Sequence, residues 1–378
     1  MTSVSVFDTQ MMSRAIQLAR KGLYTTRPNP CVGCVLVQNG QIIGEGYHQV
    51  AGQGHAEVNA LAQAAANDHC TEGATAYVTL EPCSHYGRTP PCALGLINAK
   101  VARVVIAVKD ANPQVAGNGI NMLRDAGIQV DIGLLEAEAF ELNLGFMKRM
   151  RTGLPWVTVK IAASLDGKTA LKNGESKWIT GEAARGDVQK MRARHCALIT
   201  GVETILADDP SLNVRYEQLG SLKSSLSPSS LHQPIRVVLD SKARLTSSFK
   251  LFGIQSPILL VSTSDYSDEV KRTFGPHVSL LKVNADLQGR VCLAEVLQYL
   301  GASCNSVMIE AGATLCGSFI EQGLVDELVL YQADKILGSE GRDMLLLPNY
   351  QTMNAIPKIV LKDKRNVGQD TRLIFRLG

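Results

Sequence analysis

An α/β fold in two domains is the class this sequence predicts, and three observations carry that expectation. Short β-rich runs alternate with segments of helical period through both halves of the chain. Its 378 residues are more than twice the ~150 of a typical domain. The composition, 45% hydrophobic and 19% charged with 33 glycines, suits a Gly-turned globular enzyme and not a disordered or coiled-coil protein.

In the first half, Cys31–Val37 (CVGCVLV) predicts a strand, Asn39-Gly40 a hairpin turn and Gln41–Gly46 the return strand. A helix is expected from Ala56 to Asn67, with Val58, Leu61, Ala62 and Ala65 on one face. A strand Ala76–Leu80, a loop rich in Pro and Cys, and a short helix after Pro90-Pro91 follow. Strand Arg103–Ala107, helix Gly119–Ala126 and strand Ile128–Ile132 complete a three-layered α/β domain over residues 1–150. A helical segment Glu136–Met150 leads to Thr152-Gly153-Leu154-Pro155, where the boundary is expected. The second domain, residues 151–378, restarts with strand Trp156–Ala162 and helix Glu182–Arg194. Strands at Ala197–Gly201, Ile235–Leu239, Ile258–Val261, Val307–Ile309 and Glu327–Tyr331 continue it. Gly220–Ser230 is a Ser-rich stretch expected to be a mobile surface loop.

Charge and cysteine usage narrow the function. Residues 1–150 carry 11 Lys+Arg against 12 Asp+Glu, and the remainder 27 against 23. A nucleic-acid binder would show a basic surplus in its working half, so a small substrate and no nucleic acid are expected. The N-terminus lacks the apolar core of a signal peptide and no apolar run reaches the ~20 residues of a membrane span, so neither membrane contact nor secretion is expected. Five of nine cysteines and four of seven histidines fall in the first hundred residues. In a cytoplasmic protein such clustering points to metal binding or catalysis.

The sharpest constellation is His55-Ala56-Glu57, then Glu81-Pro82-Cys83, then Cys92. A catalytic zinc takes three protein ligands and leaves one position open, and one imidazole with two thiolates also cancels its charge. His55 and Cys92 each fall at an expected helix start, which favours a thiolate at Cys92. Glu57, two residues on, can move protons between an attacking water and a departing amine. Cys31-Val-Gly-Cys34 has the spacing of a zinc knuckle or redox pair, but its place in an apolar strand makes both thiols small hydrophobes. Cys70, Cys196, Cys292, Cys304 and Cys316 are expected to be plain thiols.

The H-x-E and P-C pattern resembles the zinc-dependent cytidine and nucleobase deaminases, whose signature ends P-C-x-x-C. Here eight residues, SHYGRTPP, separate Cys83 from Cys92. With that insertion the chain resembles the bifunctional deaminase–reductases of riboflavin biosynthesis, from about Met11 to its C-terminus. The resemblance implies a cytidine-deaminase-like α/β/α domain, one Zn²⁺ on His55, Cys83 and Cys92, and Glu57 as the catalytic proton shuttle. It places Asn29, His48, His85 and Arg88 at the pyrimidine substrate, with Arg88 suited to a phosphate.

No G-x-G-x-x-G follows a strand, so a Rossmann site is not expected. Strand Val307–Ile309 instead runs into Glu310-Ala-Gly-Ala-Thr-Leu-Cys-Gly317, whose glycines let backbone N–H groups approach an anion. The resemblance, carried by LysIleAlaAlaSerLeuAspGly (160–167), GlyGluSerLysTrpIleThr (174–180) and ThrIleLeuAlaAspAspPro (204–210), implies a dihydrofolate-reductase-like domain using NADPH. It puts Ala163, Trp178, Thr204, Asp208, Ser241, Gly312, Ala313, Thr314, Leu315, Cys316 and Gly317 at NADPH. Ser176, Arg192, Leu212, Arg215 and Glu310 go to the substrate, the two arginines suiting its phosphate. Asp166 is a turn former. The implied reactions are hydrolytic deamination of 2,5-diamino-6-(5-phosphoribosylamino)pyrimidin-4-one, then reduction of its ribosyl group to ribityl by a homo-oligomer, dimer or tetramer. Two other readings stay open: a nucleoside or tRNA deaminase fused to an unrelated oxidoreductase, and a structural zinc beside a lone oxidoreductase.

Overall fold

Helix α1 (Val6–Arg20) opens the chain in this computed structural model, which describes residues 5–86, 90–113 and 116–377. No helix is predicted here from the sequence, although Ser5 and Asp8 carry its signal and form a reciprocal capping box. The chain divides into two compact units, Met1–Gly153 and Leu154–Gly378.

The first unit continues with β1 (Gly33–Gln38), β2 (Gln41–Tyr47), α2 (Ala56–Ala66), β3 (Thr75–Leu80) and α3 (Cys92–Asn98). It ends with β4 (Arg103–Val108), α4 (Asn118–Asp125), β5 (Gln129–Ile132), α5 (Glu136–Leu142) and α6 (Leu144–Thr152). Its sheet has the order β2-β1-β3-β4-β5. β1 pairs antiparallel with both β2 and β3, while β3, β4 and β5 are parallel. Period-two alternation sorts the side chains into two cores. Cys34, Leu36, Ala76 and Ile106 meet α2, α3 and α4 on one face. Val35, Val37, Tyr77 and Val105 meet α1, α5 and α6 on the other. Three layers are the result.

The single helix expected over Glu136–Met150 is two. Asn143 breaks it, leaving helical geometry at φ −122° and using its side chain on the backbone N–H and C=O of Cys31. Cys31 therefore lies before β1 and not inside it, and Cys31 and Cys34 are both buried and unbridged.

The second unit comprises β6 (Trp156–Ser164), β7 (Lys168–Ala170), α7 (Glu182–Arg194), β8 (Ala197–Gly201), α8 (Val202–Asp208) and β9 (Ile235–Leu239). β10 (Ile258–Ser262), α9 (Asp268–Thr273), β11 (Val278–Lys282), α10 (Leu293–Gly301), β12 (Ser306–Ile309) and α11 (Ala313–Glu321) follow. β13 (Glu327–Ala333), β14 (Arg342–Asp343), β15 (Ile359–Val367) and β16 (Asp370–Leu377) close it. Nine strands run β11-β10-β9-β8-β12-β6-β13-β16-β15. They are parallel from β11 through β13, and β16 and β15 add an antiparallel edge. Cores lie on both faces, as parallel sheets require. Neither β15 nor β16 is predicted from the sequence; for β15 the reason is that IVLKDKRNV is exposed along nearly its whole length and shows no alternation. Within the Ser-rich stretch, which is largely at the surface, Gly220–Ser224 forms a 3₁₀ turn, flanked by buried Leu219 and Leu226, the latter's carbonyl accepting from the Tyr216 hydroxyl.

Candidate functional site

The first unit gathers its chemistry where α2 and α3 begin. His55 is the N-cap of α2 but makes no capping bond with its side chain. Its Nδ1 lies 3.6 Å from Cys83 Sγ and 3.2 Å from Cys92 Sγ. The three ligand atoms all fall within 4.8 Å of one another. Zn–N of ~2.0 Å and Zn–S of ~2.3 Å at tetrahedral angles put N and S roughly 3.6 Å apart, so the donor set fits zinc in kind and spacing. The loop from β3 delivers Cys83 to the start of α3, where the Cys92 N–H donates to its sulfur at 3.3 Å. Hydrogen bonds with Cys92 and His55 push the Cys83 thiol down, and the bond to Cys83 pushes Cys92 up.

Glu57 sits in the first turn of α2 and is 3% exposed. Burial lifts its carboxyl to about 6, the range in which a carboxyl can both accept and return a proton. His48 donates from Nδ1 to the Gly54 carbonyl at 3.1 Å, which leaves Nε2 to accept from Asn29 Nδ2 at 3.1 Å. That arrangement turns the amide oxygen of Asn29 away from His48. The His48 ring meets His55 edge to face at 5.4 Å, so Asn29, His48, His55 and Glu57 share one neighbourhood. His85 is exposed on the connecting loop, and Arg88 lies outside the described residues.

Glu81 was missed by sequence reasoning. Buried just before Pro82-Cys83, its carboxylate accepts backbone N–H groups of Asp110, Gly117 and Ile120. It ties Asp110 and the start of α4 to the cysteine turn. A Glu abutting Pro-Cys at a strand end was the available signal.

In the second unit, Arg192 and Glu310 form a bidentate pair at 2.8 and 2.7 Å, and Arg192 also donates to the Asn213 carbonyl. Burial would raise Glu310, but Arg192, Lys160 and His195 outweigh it and hold the carboxyl at about 2. Lys160 on β6, with its ammonium driven down by burial, is a second residue that sequence reasoning left unassigned. Its signal was a lone cation in an apolar strand. Leu212 is buried with φ +53°, while Arg215 and Ser176 are exposed. Asp166 accepts from Ser164, Leu337 and Gly338 and staples a turn.

A cavity of about 410 Å³ lies at the C-terminal ends of β8, β9 and β12. Thr204, Ser241, Gly312, Thr314 and Leu315 line it, whereas Ala163, Trp178, Asp208, Ala313, Cys316 and Gly317 are not among its walls. A Cβ on Gly312, the N-cap of α11, would meet open space, so its backbone N–H region is accessible to an anion. Trp178 is exposed and stacks under the Arg185 guanidinium at 4.3 Å.

Relatives agree with this division of labour. The chain is 49% identical to the riboflavin biosynthesis protein RibD of Haemophilus influenzae, over 99% of each chain. It is 47% identical to that of Escherichia coli, over 97% of this chain and 98% of the other. The chain belongs to the RibD family. The solved RibD of Acinetobacter baumannii has a TM-score of 0.89 at 45% identity, covering 98% of this chain and 99% of that one. A deaminase/reductase from Thermotoga maritima has a TM-score of 0.85 at 33% identity, covering 98% and 99%. Residues 5–108 match the cytidine and deoxycytidylate deaminase zinc-binding region, and residues 155–373 the RibD C-terminal domain. As a member of this family the protein is a bifunctional enzyme of riboflavin biosynthesis, with a zinc-binding deaminase domain and an NADPH-dependent reductase domain. No described helix is long and apolar enough to cross a membrane.

Proposed function

We propose that residues 1–150 deaminate 2,5-diamino-6-(5-phosphoribosylamino)pyrimidin-4-one at its 2-amino group and that residues 151–378 reduce the product's ribosyl group to ribityl. The observation that carries the first step is the convergence of His55, Cys83 and Cys92 beside a buried Glu57. His55, Cys83 and Cys92 hold the ion. Zinc, when bound, supplies the Lewis acidity that makes water nucleophilic near neutral pH. Glu57 accepts a proton from the attacking water and returns it to the amine, which leaves as ammonia. Asn29, oriented by His48, presents its amide oxygen to a ring N–H, and His85 and Arg88 receive the phosphate end.

In the second step, NADPH supplies the hydride. Ala163, Trp178, Thr204, Asp208, Ser241 and Gly312 through Gly317 position it, with Ser176 and Leu212 against the pyrimidine. Arg192 is tied to Glu310, whereas Arg215 has no carboxylate within ion-pair distance among the described residues, so Arg215 is the phosphate handle of the two. Lys160, its ammonium driven down, is the group that holds or moves the accompanying proton, while Glu310, kept ionised by its pairing with Arg192, fixes the charge beside it. Nine free thiols accord with a cytoplasmic setting. Exposed Ile359, Val360 and Leu361 on the outermost strand accord with self-association.

Incubating the full chain with the diaminopyrimidine phosphoribosyl compound, with and without NADPH, tests the reading. Ammonia is expected without NADPH, and NADPH oxidation only after deamination. NADPH oxidation with no ammonia released would refute the assigned order.

A further inference from the structure

NADPH differs from NADH by one phosphate on the adenosine 2′ oxygen, a near-dianion that must meet a fixed, uncompensated cation if an enzyme is to prefer it. Resting on the reading of the 410 Å³ cavity as the cofactor site, the direction of the dinucleotide follows from strand order. The half-buried Lys160, Arg192 and Glu310 lie on β6, on α7 and just past the end of β12, on one side of Gly312. Successive neighbours β8 and β9 carry the cavity the other way. A nicotinamide at the reacting end and a pyrophosphate at Gly312 therefore leave the adenosine half beside the turn after β9.

Three cations line the cavity, Lys242, Arg244 and Arg290, against two acids, Glu203 and Asp286. The acids account for two of the three. Arg244 bonds Glu203 at 2.6 Å, and Arg290 bonds Asp286 at 3.1 Å while its Nη2 donates to Gln288. Lys242 makes no ion pair or side-chain hydrogen bond among the described residues, and it carries the cavity's surplus charge. It also stands on a rigid support. The buried Asp240 accepts the backbone N–H of Arg244 at 2.6 Å, that of Leu245 at 2.9 Å and the Tyr266 hydroxyl at 2.8 Å. Beside it, Ser241 Oγ accepts the Val291 N–H at 3.1 Å, which leaves its own O–H to donate.

We propose that Lys242, with the Ser241 hydroxyl, reads the 2′-phosphate and sets the preference of the reductase for NADPH over NADH. Both groups sit on one turn, so a single short segment supplies a charge and a directed donor.

Equilibrium titration of the full-length protein with NADPH, NADH and the non-reacting pair 2′,5′-ADP and 5′-ADP reads this without turnover. Lys242→Gln is expected to weaken NADPH and 2′,5′-ADP roughly ten- to hundredfold and to leave NADH and 5′-ADP within twofold. Lys242→Arg should keep the preference. Thr314→Trp, on an exposed wall of the same cavity, should weaken both dinucleotides alike. Equal weakening of NADPH and NADH by Lys242→Gln, or no weakening, overturns the assignment while a blocking Thr314→Trp leaves the cavity reading intact. The same holds if an Arg290→Gln variant, and not Lys242→Gln, loses the preference. Unchanged binding to Thr314→Trp overturns the cavity reading itself.

Discussion

Glu57 owes its usefulness to its surroundings. An exposed glutamate is fully ionised at neutral pH, but 3% exposure moves this carboxyl to about 6, where proton uptake and release are both accessible. Removing it should leave the ligand set untouched, since His55, Cys83 and Cys92 contact one another directly. Glu57→Ala is therefore expected to retain one zinc per chain by metal analysis and to lose ammonia release by at least about a hundredfold. Near-normal ammonia release by the metal-loaded variant would remove Glu57 from the proton path. Much of this site was legible from residue types: H-x-E and P-C-x8-C are unusual enough to name the chemistry. Glu81 and Lys160 were not, because what distinguishes them is burial against backbone donors or neighbouring charges, which no spacing records.

At the scale of elements, His55, one of the three proposed metal ligands, is placed by the close approach of α2 to β2. A Cβ on Gly46 would come within 2.3 Å of the Ala56 carbonyl oxygen, so only glycine lets that helix start lie against the strand. Gly46→Ala should displace the first turn of α2, cost about 1–3 kcal/mol by denaturant unfolding, and weaken zinc at least tenfold. Helix α1 is anchored by charge. Asp8 accepts from Tyr77 at 2.7 Å, Arg103 at 2.7 Å and the Ser5 N–H at 3.0 Å. Burial alone would raise its carboxyl, but these hydrogen bonds together hold it well below the usual range. A carboxyl lowered by folding stabilises the native state fully above its unfolded pKa of ~4 and loses that contribution as pH falls toward the native value. Asp8→Asn should accordingly lose about 2 kcal/mol at neutral pH and show a shallower decline between roughly pH 5 and 2 in acid unfolding. The break at Asn143 belongs to this scale too: helical period continued through it, and only its bonds to Cys31, far away in sequence, end α5.

For the whole molecule, each unit carries its own core, sheet and chemistry-bearing residues. Zinc removal by a chelator, or Cys83→Ser, should abolish ammonia release while NADPH-dependent reduction of the already deaminated substrate continues at near its normal rate. Loss of both activities would show that the metal also supports the reductase. The sequence by itself determined the fold class, the order of most elements, the zinc chemistry and the family, because these rest on periodicity and on local groups such as His55-Ala-Glu57. Tertiary structure decided the rest. Arg192 and Arg215 read alike as phosphate ligands until folding paired Arg192 with Glu310. Nothing in the sequence separates Lys242 from Arg244 and Arg290; folding brings Glu203 and Asp286 to the two arginines and leaves Lys242 the surplus. The physical reason is that charge compensation depends on separation in space, and residues such as Glu203 and Arg244 are brought to 2.6 Å only by the sheet that carries them.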